Sequence, residues 1–131
     1  MLILLRKIHN AQSLAAVLSF FESEHPQLRE AAVTTLSYLN QVQICPPALS
    51  LISDRDESVR CAAALTLGHL ADTDIVDLLG NALNNDTDWQ VRRNAAKSLA
   101  LHADAKIIPT VLIALKDEHW QVRKAHRLPL L

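Results

Sequence analysis

Four arginines recur at one position of the sequence, and aspartates precede three of them at constant spacing. The arginines lie 31, 32 and 31 residues apart and are Arg29, Arg60, Arg92 and Arg123. The aspartates stand six residues before the last three and are Asp54, Asp86 and Asp117. A row of arginines could bind an anion, but an arginine fork also matches a carboxylate bidentately. The constant spacing favours a structural ladder, in which each arginine pairs with the aspartate six residues earlier or with the turn of a neighbouring unit.

The first unit differs from the others at the acidic position of this pattern. Ser23 stands where the later units carry aspartate. A serine hydroxyl offers no charge to an arginine, so we expect the rung of the first unit to be weaker than the others.

Two tryptophans, Trp89 and Trp120, share a second repeat position in the first turn of a helix. Earlier units carry Pro26 and Glu57 there, so burial of a large ring is not obligatory. The rings could pack over the turn between units, or they could anchor a binding partner, since tryptophan is enriched in interface hot spots.

Basic residues cluster near the same tryptophans. Arg93 and Lys97 are four residues apart and share a helix face, and Lys124 repeats the position of Arg93. The cluster consists of Arg93, Lys97, Lys124 and Arg127. Residues 1–90 carry 5 basic and 11 acidic side chains, a net charge of −6, whereas residues 91–131 carry 8 and 3, a net of +5. The basic face could simply be solvated, or it could attract an acidic partner or the other end of a second copy.

The remaining reactive residue types show no pattern typical of catalysis. The six histidines lack the spacing of a helical metal site, and Cys45 and Cys61 lack a Cys-x-x-Cys motif. No glycine-rich phosphate loop or Gly-x-Ser-x-Gly motif is present. The sequence therefore predicts no catalytic residues, no metal site, no cofactor and no enzymatic activity.

Two helices in each repeat would position these residues. Apolar and polar residues alternate with helical period in eight segments, 13–22, 27–40, 46–53, 57–71, 73–84, 89–102, 106–116 and 119–128. Paired small residues recur in the second helices, for example Ala63 with Ala64 and Ala95 with Ala96. Small side chains let a neighbouring helix approach closely, so this pattern predicts hairpins that stack into an all-α solenoid.

The repeats divide one domain of 131 residues into a half repeat at 1–9 and units at 10–40, 41–71, 72–102 and 103–131. The last unit is degenerate, since His126 and Arg127 stand at its paired-alanine positions. The apolar first residues and this degenerate unit predict a homodimer through exposed repeat ends, unless the array is truncated.

The net charge of −1 argues against a general nucleic-acid binder, and no apolar run is long enough to span a membrane. The first residues also lack the order of charge and apolar core that a secretory signal needs. The sequence therefore predicts a soluble, cytoplasmic protein.

The pattern Asp-x-x-x-x-Val-Arg-x-x-Ala-Ala-x-x-Leu-Gly, fullest from Asp54 to Gly68, resembles the HEAT-like repeat in the short form named after phycobilisome lyases. The resemblance spans residues 10–125. It implies a right-handed superhelix of about four hairpins, with the first helices outside and the second helices lining a concave, partner-binding surface. It favours a scaffold that binds a protein partner at Arg93, Lys97, Lys124, Trp89 and Trp120. The alternatives are a subunit of a bilin lyase-like or other enzyme complex, or a weak binder of nucleic-acid backbone.

Overall fold

The computed structural model describes residues 11–39, 49–69, 73–102 and 107–125. These ranges hold seven α-helices, which are α1 (Ala11–Ser19), α2 (Pro26–Leu39), α3 (Glu57–Thr66), α4 (Thr73–Asn85), α5 (Trp89–Leu99), α6 (Ile108–Leu115) and α7 (Trp120–Ala125). Short 3-10 helices run over Leu51–Ser53 and directly after α3 over Leu67–His69. The elements follow the predicted order of first and second helices.

Aspartates begin two of the second helices. Asp56 accepts a hydrogen bond from the Ser58 N–H at 2.9 Å, and Asp88 accepts one from the Gln90 N–H at 2.7 Å. Both residues have extended backbone, as an N-cap requires. In α7 the imidazole of His119 takes over this function, because its Nδ1 accepts from the Gln121 N–H at 3.2 Å. Each second helix therefore starts immediately after a short turn between the helices of one hairpin.

The second helices α2, α3, α5 and α7 pack side by side in chain order, and we call them the second-helix layer. The first helices α4 and α6 each pack on their own second helix and on one another. The paired small residues lie at the contacts between these elements, and Ala63, Ala64, Ala95 and Ala96 are almost completely buried. One core of aliphatic side chains runs through all units, so the prediction of an all-α solenoid is confirmed.

Gly68, in the 3-10 turn after α3, lies directly against Ser98 of α5. A Cβ atom added to Gly68 would lie 2.6 Å from Ser98 Cβ and 3.0 Å from Ser98 Cα. The Ser98 hydroxyl in turn donates a hydrogen bond to the main-chain oxygen of Ala64. A Cβ atom at position 68 therefore has no room unless Ser98 or the backbone shifts.

Some predicted helix bounds differ from those in the structure. The segment predicted as one helix over 57–71 is α-helical only to Thr66 and then tightens into the 3-10 turn. The half repeat at 1–9 and residues 126–128 lie outside the described residues, as do the ends on which the homodimer prediction rests. That prediction stays a prediction, and molar mass by light scattering tests it. None of the helices in the described ranges has the length and hydropathy needed to cross a bilayer.

Candidate partner-binding groove

The arginines of the ladder reach forward to the next unit. In each internal rung the guanidinium Nε and Nη2 atoms face one carboxylate of the following turn. The distances are 2.9 and 2.9 Å for Arg29 with Asp54, 2.9 and 3.4 Å for Arg60 with Asp86, and 2.8 and 3.2 Å for Arg92 with Asp117. Each fork therefore ties two consecutive units together through a bidentate ion pair.

The aspartate six residues before each arginine plays a different part from the one expected. Its main-chain oxygen, not its carboxylate, accepts from Nη1 of the arginine, at 2.9 Å from Arg60 to Asp54 and 3.0 Å from Arg92 to Asp86. Side-chain pairing within one unit was therefore the wrong alternative for these described rungs. The partner is the turn of the neighbouring unit, which was the second alternative.

The expectation of a weaker first rung is also wrong. From Ser23, Arg29 needs only the main-chain oxygen, which accepts from Nη1 at 2.6 Å, so the absence of a carboxylate at position 23 removes no contact from this rung. Its acid is Asp54 of the next unit, and both side chains are over nine-tenths buried. Arg123 donates to the main-chain oxygens of Asp117 and Glu118, and within the described ranges its fork meets no carboxylate.

The ladder lowers the pKa of the aspartates at its first and last rungs. Burial alone would raise the pKa of Asp117, but the Arg92 fork, the His119 main-chain N–H and the charge of Arg92 together lower it below its ordinary value of 3.8. Burial opposes the shift at Asp54 as well, where the Arg29 fork and the Asp56 N–H lower the pKa in the same way. Both carboxylates are therefore ionised in the folded protein at neutral pH.

We expect the free energy of unfolding to fall in acid because of these two aspartates. A depressed folded-state pKa contributes stability that is complete above the unfolded value near 3.8 and is lost as the pH falls through the lower folded value. Urea unfolding from pH 7 to pH 2.5 measures this loss. Asp117→Asn should be less stable at pH 7 and should lose less on acidification. An identical pH dependence in Asp117→Asn and wild type would contradict this assignment.

A groove of about 430 Å³ lies between α5 and α7 on the exposed side of the second-helix layer. Three of its lining residues are the cations Arg93, Lys97 and Lys124, and a fourth is Trp120. The complete lining is Arg93, Lys97, Trp120, Gln121, Lys124 and Ala125. The structure thus brings together four of the five residues that the sequence singled out for partner binding.

The fifth residue, Trp89, supports the groove from beneath. Its indole stacks on the imidazole of His119, with ring centroids 3.8 Å apart and planes within 5°. The Arg93 guanidinium lies 5.3 Å from the centre of the Trp89 ring, and its Nη1 donates to Gln121 Oε1 at 3.2 Å. A cation over an indole face is held by the ring quadrupole. Trp89 therefore packs over the turn between units and fixes the orientation of Arg93.

The two tryptophans differ in exposure although they share a repeat position. Trp89 is half-buried under Arg93, whereas the side chain of Trp120 is 56 % exposed at the groove wall. An exposed indole beside charged residues is typical of an interface anchor. The packing interpretation therefore suits Trp89, and the anchor interpretation suits Trp120.

The groove cations differ from the ladder arginines in their electrostatic partners. No carboxylate of the described ranges forms a salt bridge with Arg93, Lys97 or Lys124. The hydrogen bonds that the Arg93 side chain donates go to the neutral amides of Gln121 and Asn94, the latter from Nε to Oδ1 at 3.3 Å. Within the described ranges, the positive charge of this face therefore has no paired carboxylate.

The described ranges include residue types that can ligate a metal or act as nucleophiles, among them Cys61 and His119. They contain no group of three or more metal-ligating side chains close enough to hold an ion. Burial raises the pKa of the Cys61 thiol, and Asn94 donates to its sulfur at 3.0 Å. A thiol with a raised pKa is a poor nucleophile at neutral pH. Cys45 lies outside the described residues.

Sequence reasoning missed two residues that build the groove. His119 stacks under the site and Gln121 orients Arg93. One signal was available for His119, because it stands at the N-cap position that Asp56 and Asp88 occupy in earlier units. Its flat stacking on Trp89 depends on side-chain geometry that spacing alone does not provide.

A family model described as HEAT repeats matches residues 11–83 and 76–126. The chain is similar to the phycocyanobilin lyase subunit beta of Nostoc sp. (strain PCC 7120), with 31% identity over 130 residues that cover 88% of this chain and 64% of the relative. The chain thus spans just under two thirds of that relative. The X-ray structure of the Escherichia coli protein YibA matches with a TM-score of 0.66 at 20% identity, over 95% of this chain and 48% of the other. The resemblance noted from the sequence is confirmed.

Proposed function

This chain belongs to the HEAT-repeat family, and we propose that it is a non-enzymatic scaffold that binds a partner protein at the groove between α5 and α7. The observation that carries the proposal is the contrast between two sets of cations. Every internal arginine of the ladder is saturated by a neighbouring aspartate, whereas Arg93, Lys97 and Lys124 face the groove without a carboxylate from the described ranges.

The rigidity of the groove supports the same function. The Arg93 guanidinium is held between the Trp89 ring and Gln121 before any partner arrives, so little side-chain entropy is lost on binding. Trp120 offers an apolar surface next to the cations. This combination of a positioned charge and an exposed indole is characteristic of protein interfaces.

Charge reversal in the groove should abolish partner capture. We expect Arg93→Glu combined with Lys97→Glu to reduce recovery of the partner at least tenfold, because electrostatic complementarity becomes repulsion. Immobilised wild type and variant are compared on the same extract of the source cells, with quantitative mass spectrometry of the bound proteins. Thermal melting checks that the variant is folded.

The matched control is Lys116→Glu, which reverses an exposed charge outside the groove. A protein that binds wild type and the Lys116→Glu control, but not the groove variant, supports the proposal. Equal recovery by the groove variant and the control would exclude the groove as the binding site.

A second candidate function follows from the similarity to a protein named phycocyanobilin lyase subunit beta. On this proposal the chain is one subunit of a bilin lyase-like complex, in which the solenoid holds another protein in place. The groove serves both candidates, since either requires a bound protein.

Co-expression separates the two candidates. The chain is produced with a phycobiliprotein and a bilin, with and without a further lyase subunit, and bilin attachment is read from absorbance and zinc-induced fluorescence of the denatured phycobiliprotein. Attachment that requires this chain supports the lyase function. Unchanged attachment in its absence excludes that function and leaves the scaffold proposal in place.

A further inference from the structure

The residues that line the groove favour a ligand of particular charge and polarity. Its charged residues are all cations, and no acidic side chain of the described ranges lines it. Its apolar surface comes from the Trp120 indole and the small side chain of Ala125. A suitable ligand therefore combines negative charge with an apolar group.

The placement of the cations defines the spacing of the negative groups. Arg93 and Lys97 are one helical turn apart on α5, a rise of about 6 Å. Lys124 lies on the adjacent helix, and packed helix axes are typically about 8–10 Å apart. In an extended peptide, side chains at positions i and i+2 point to the same side and lie about 6.6 Å apart. Two carboxylates at this spacing match two neighbouring cations.

We propose, on the basis of the function inferred above, that the groove binds a short, extended acidic segment of the partner protein. Carboxylates at positions i and i+2 contact the cations Arg93, Lys97 and Lys124. An apolar side chain at position i+4, on the same side of the segment, packs against Trp120. The partner is thus recognised by a local sequence pattern and not by its whole surface.

A nucleic-acid ligand fits the same surface less well. Strong binding to phosphate backbone needs a track of many cations, since each neutralised phosphate contributes through counterion release. The groove supplies three cations, and the whole chain has a net charge of −1.

Labelled peptides test the proposal directly. The first probe is fluorescein-Gly-Glu-Ser-Glu-Ser-Leu-Gly, the second replaces both Glu by Gln, and the third replaces Leu by Ser. Fluorescence anisotropy with the full chain in 50 mM NaCl should show binding of the first probe and at least tenfold weaker binding of the second. Lys97→Glu should weaken the first probe at least tenfold, and Lys116→Glu should leave it unchanged.

The apolar contact has a separate readout. Trp120→Ala should weaken the first probe several-fold but should not affect the third probe, which lacks leucine. Quenching or a shift of tryptophan fluorescence on addition of the first probe should disappear in this variant. An equal loss for both probes would overturn the assignment of Trp120 as the apolar contact.

Three results would overturn the proposal as a whole. These are equal affinity for the Glu and Gln peptides, full binding of the first probe by Lys97→Glu, and tighter binding of a single-stranded oligothymidylate of the same charge. If no peptide binds but the groove variant still loses its partner in the extract experiment, the acidic-segment proposal fails and the scaffold function stands. If the groove variant also keeps its partner, both fail.

Discussion

Replacing Gly68 by alanine should lower the free energy of unfolding by about 2–3 kcal/mol, because the added methyl group has no space. It would lie 2.6 Å from Ser98 Cβ and 3.0 Å from Ser98 Cα, and the second of these is a backbone atom that cannot rotate away. The 3-10 turn and α5 would have to move apart, which would disturb their packing and the hydrogen bond from the Ser98 hydroxyl to the main-chain oxygen of Ala64. Urea unfolding followed by circular dichroism measures the loss.

Gly80→Ala is the matched control for this prediction. A Cβ atom at Gly80 would meet Thr110 at 3.4 Å, an ordinary contact, and the residue lies inside helix α4. Alanine there should leave stability unchanged or raise it by up to about 1 kcal/mol, since glycine is the poorer helix former. If Gly68→Ala is as stable as Gly80→Ala, the second helices are not packed as closely as described.

Replacing Arg92 by methionine should destabilise the protein by about 2–4 kcal/mol, because it leaves a buried carboxylate without its counter-charge. The Arg92 and Asp117 side chains are 10% and 9% exposed, and methionine keeps the aliphatic stem while removing the fork. The main-chain oxygen of Asp86 also loses its donor. Chemical unfolding at pH 7 measures the difference.

The adjacent residue provides the control. Arg93→Met removes a guanidinium that forms no salt bridge with a carboxylate of the described ranges, so only its contacts with Trp89, Asn94 and Gln121 are lost and stability should fall by about 1 kcal/mol or less. Partner capture should nevertheless fall with this variant. Equal destabilisation by Arg92→Met and Arg93→Met would remove the distinction between ladder and groove cations on which the proposed function rests.

Much of this architecture could be predicted from the sequence because each unit repeats the same pattern of residue types at the same spacing. The spacing of Arg29, Arg60 and Arg92, the capping aspartates and the paired alanines each have a direct physical meaning in a stacked hairpin. They predict helix order, stacking and the existence of the ladder. They also place Arg93 and Lys124 at equivalent positions of adjacent helices, which is why the basic face was predicted.

The direction of the ladder and the interior of the groove could not be predicted in this way. A spacing of six residues and a spacing of about 25 residues both recur when the repeat is regular, so sequence alone does not decide which aspartate Arg60 contacts. The contact between Gly68 and Ser98 depends on the distance between two helix axes. The different exposures of Trp89 and Trp120 depend on side-chain geometry, since Trp89 stacks on His119 whereas Trp120 is 56% exposed.

Site-specific photo-crosslinking tests the central claim most directly. Trp120 is replaced by p-benzoylphenylalanine at the groove wall, and Asp77, exposed on the first helix α4, is replaced in a parallel variant. On irradiation in the source cells, we expect a discrete protein adduct from position 120, none from position 77, and loss of the first adduct when Arg93→Glu and Lys97→Glu are added. A discrete adduct from position 77 alone, or one from position 120 that survives charge reversal, would contradict partner binding at this groove.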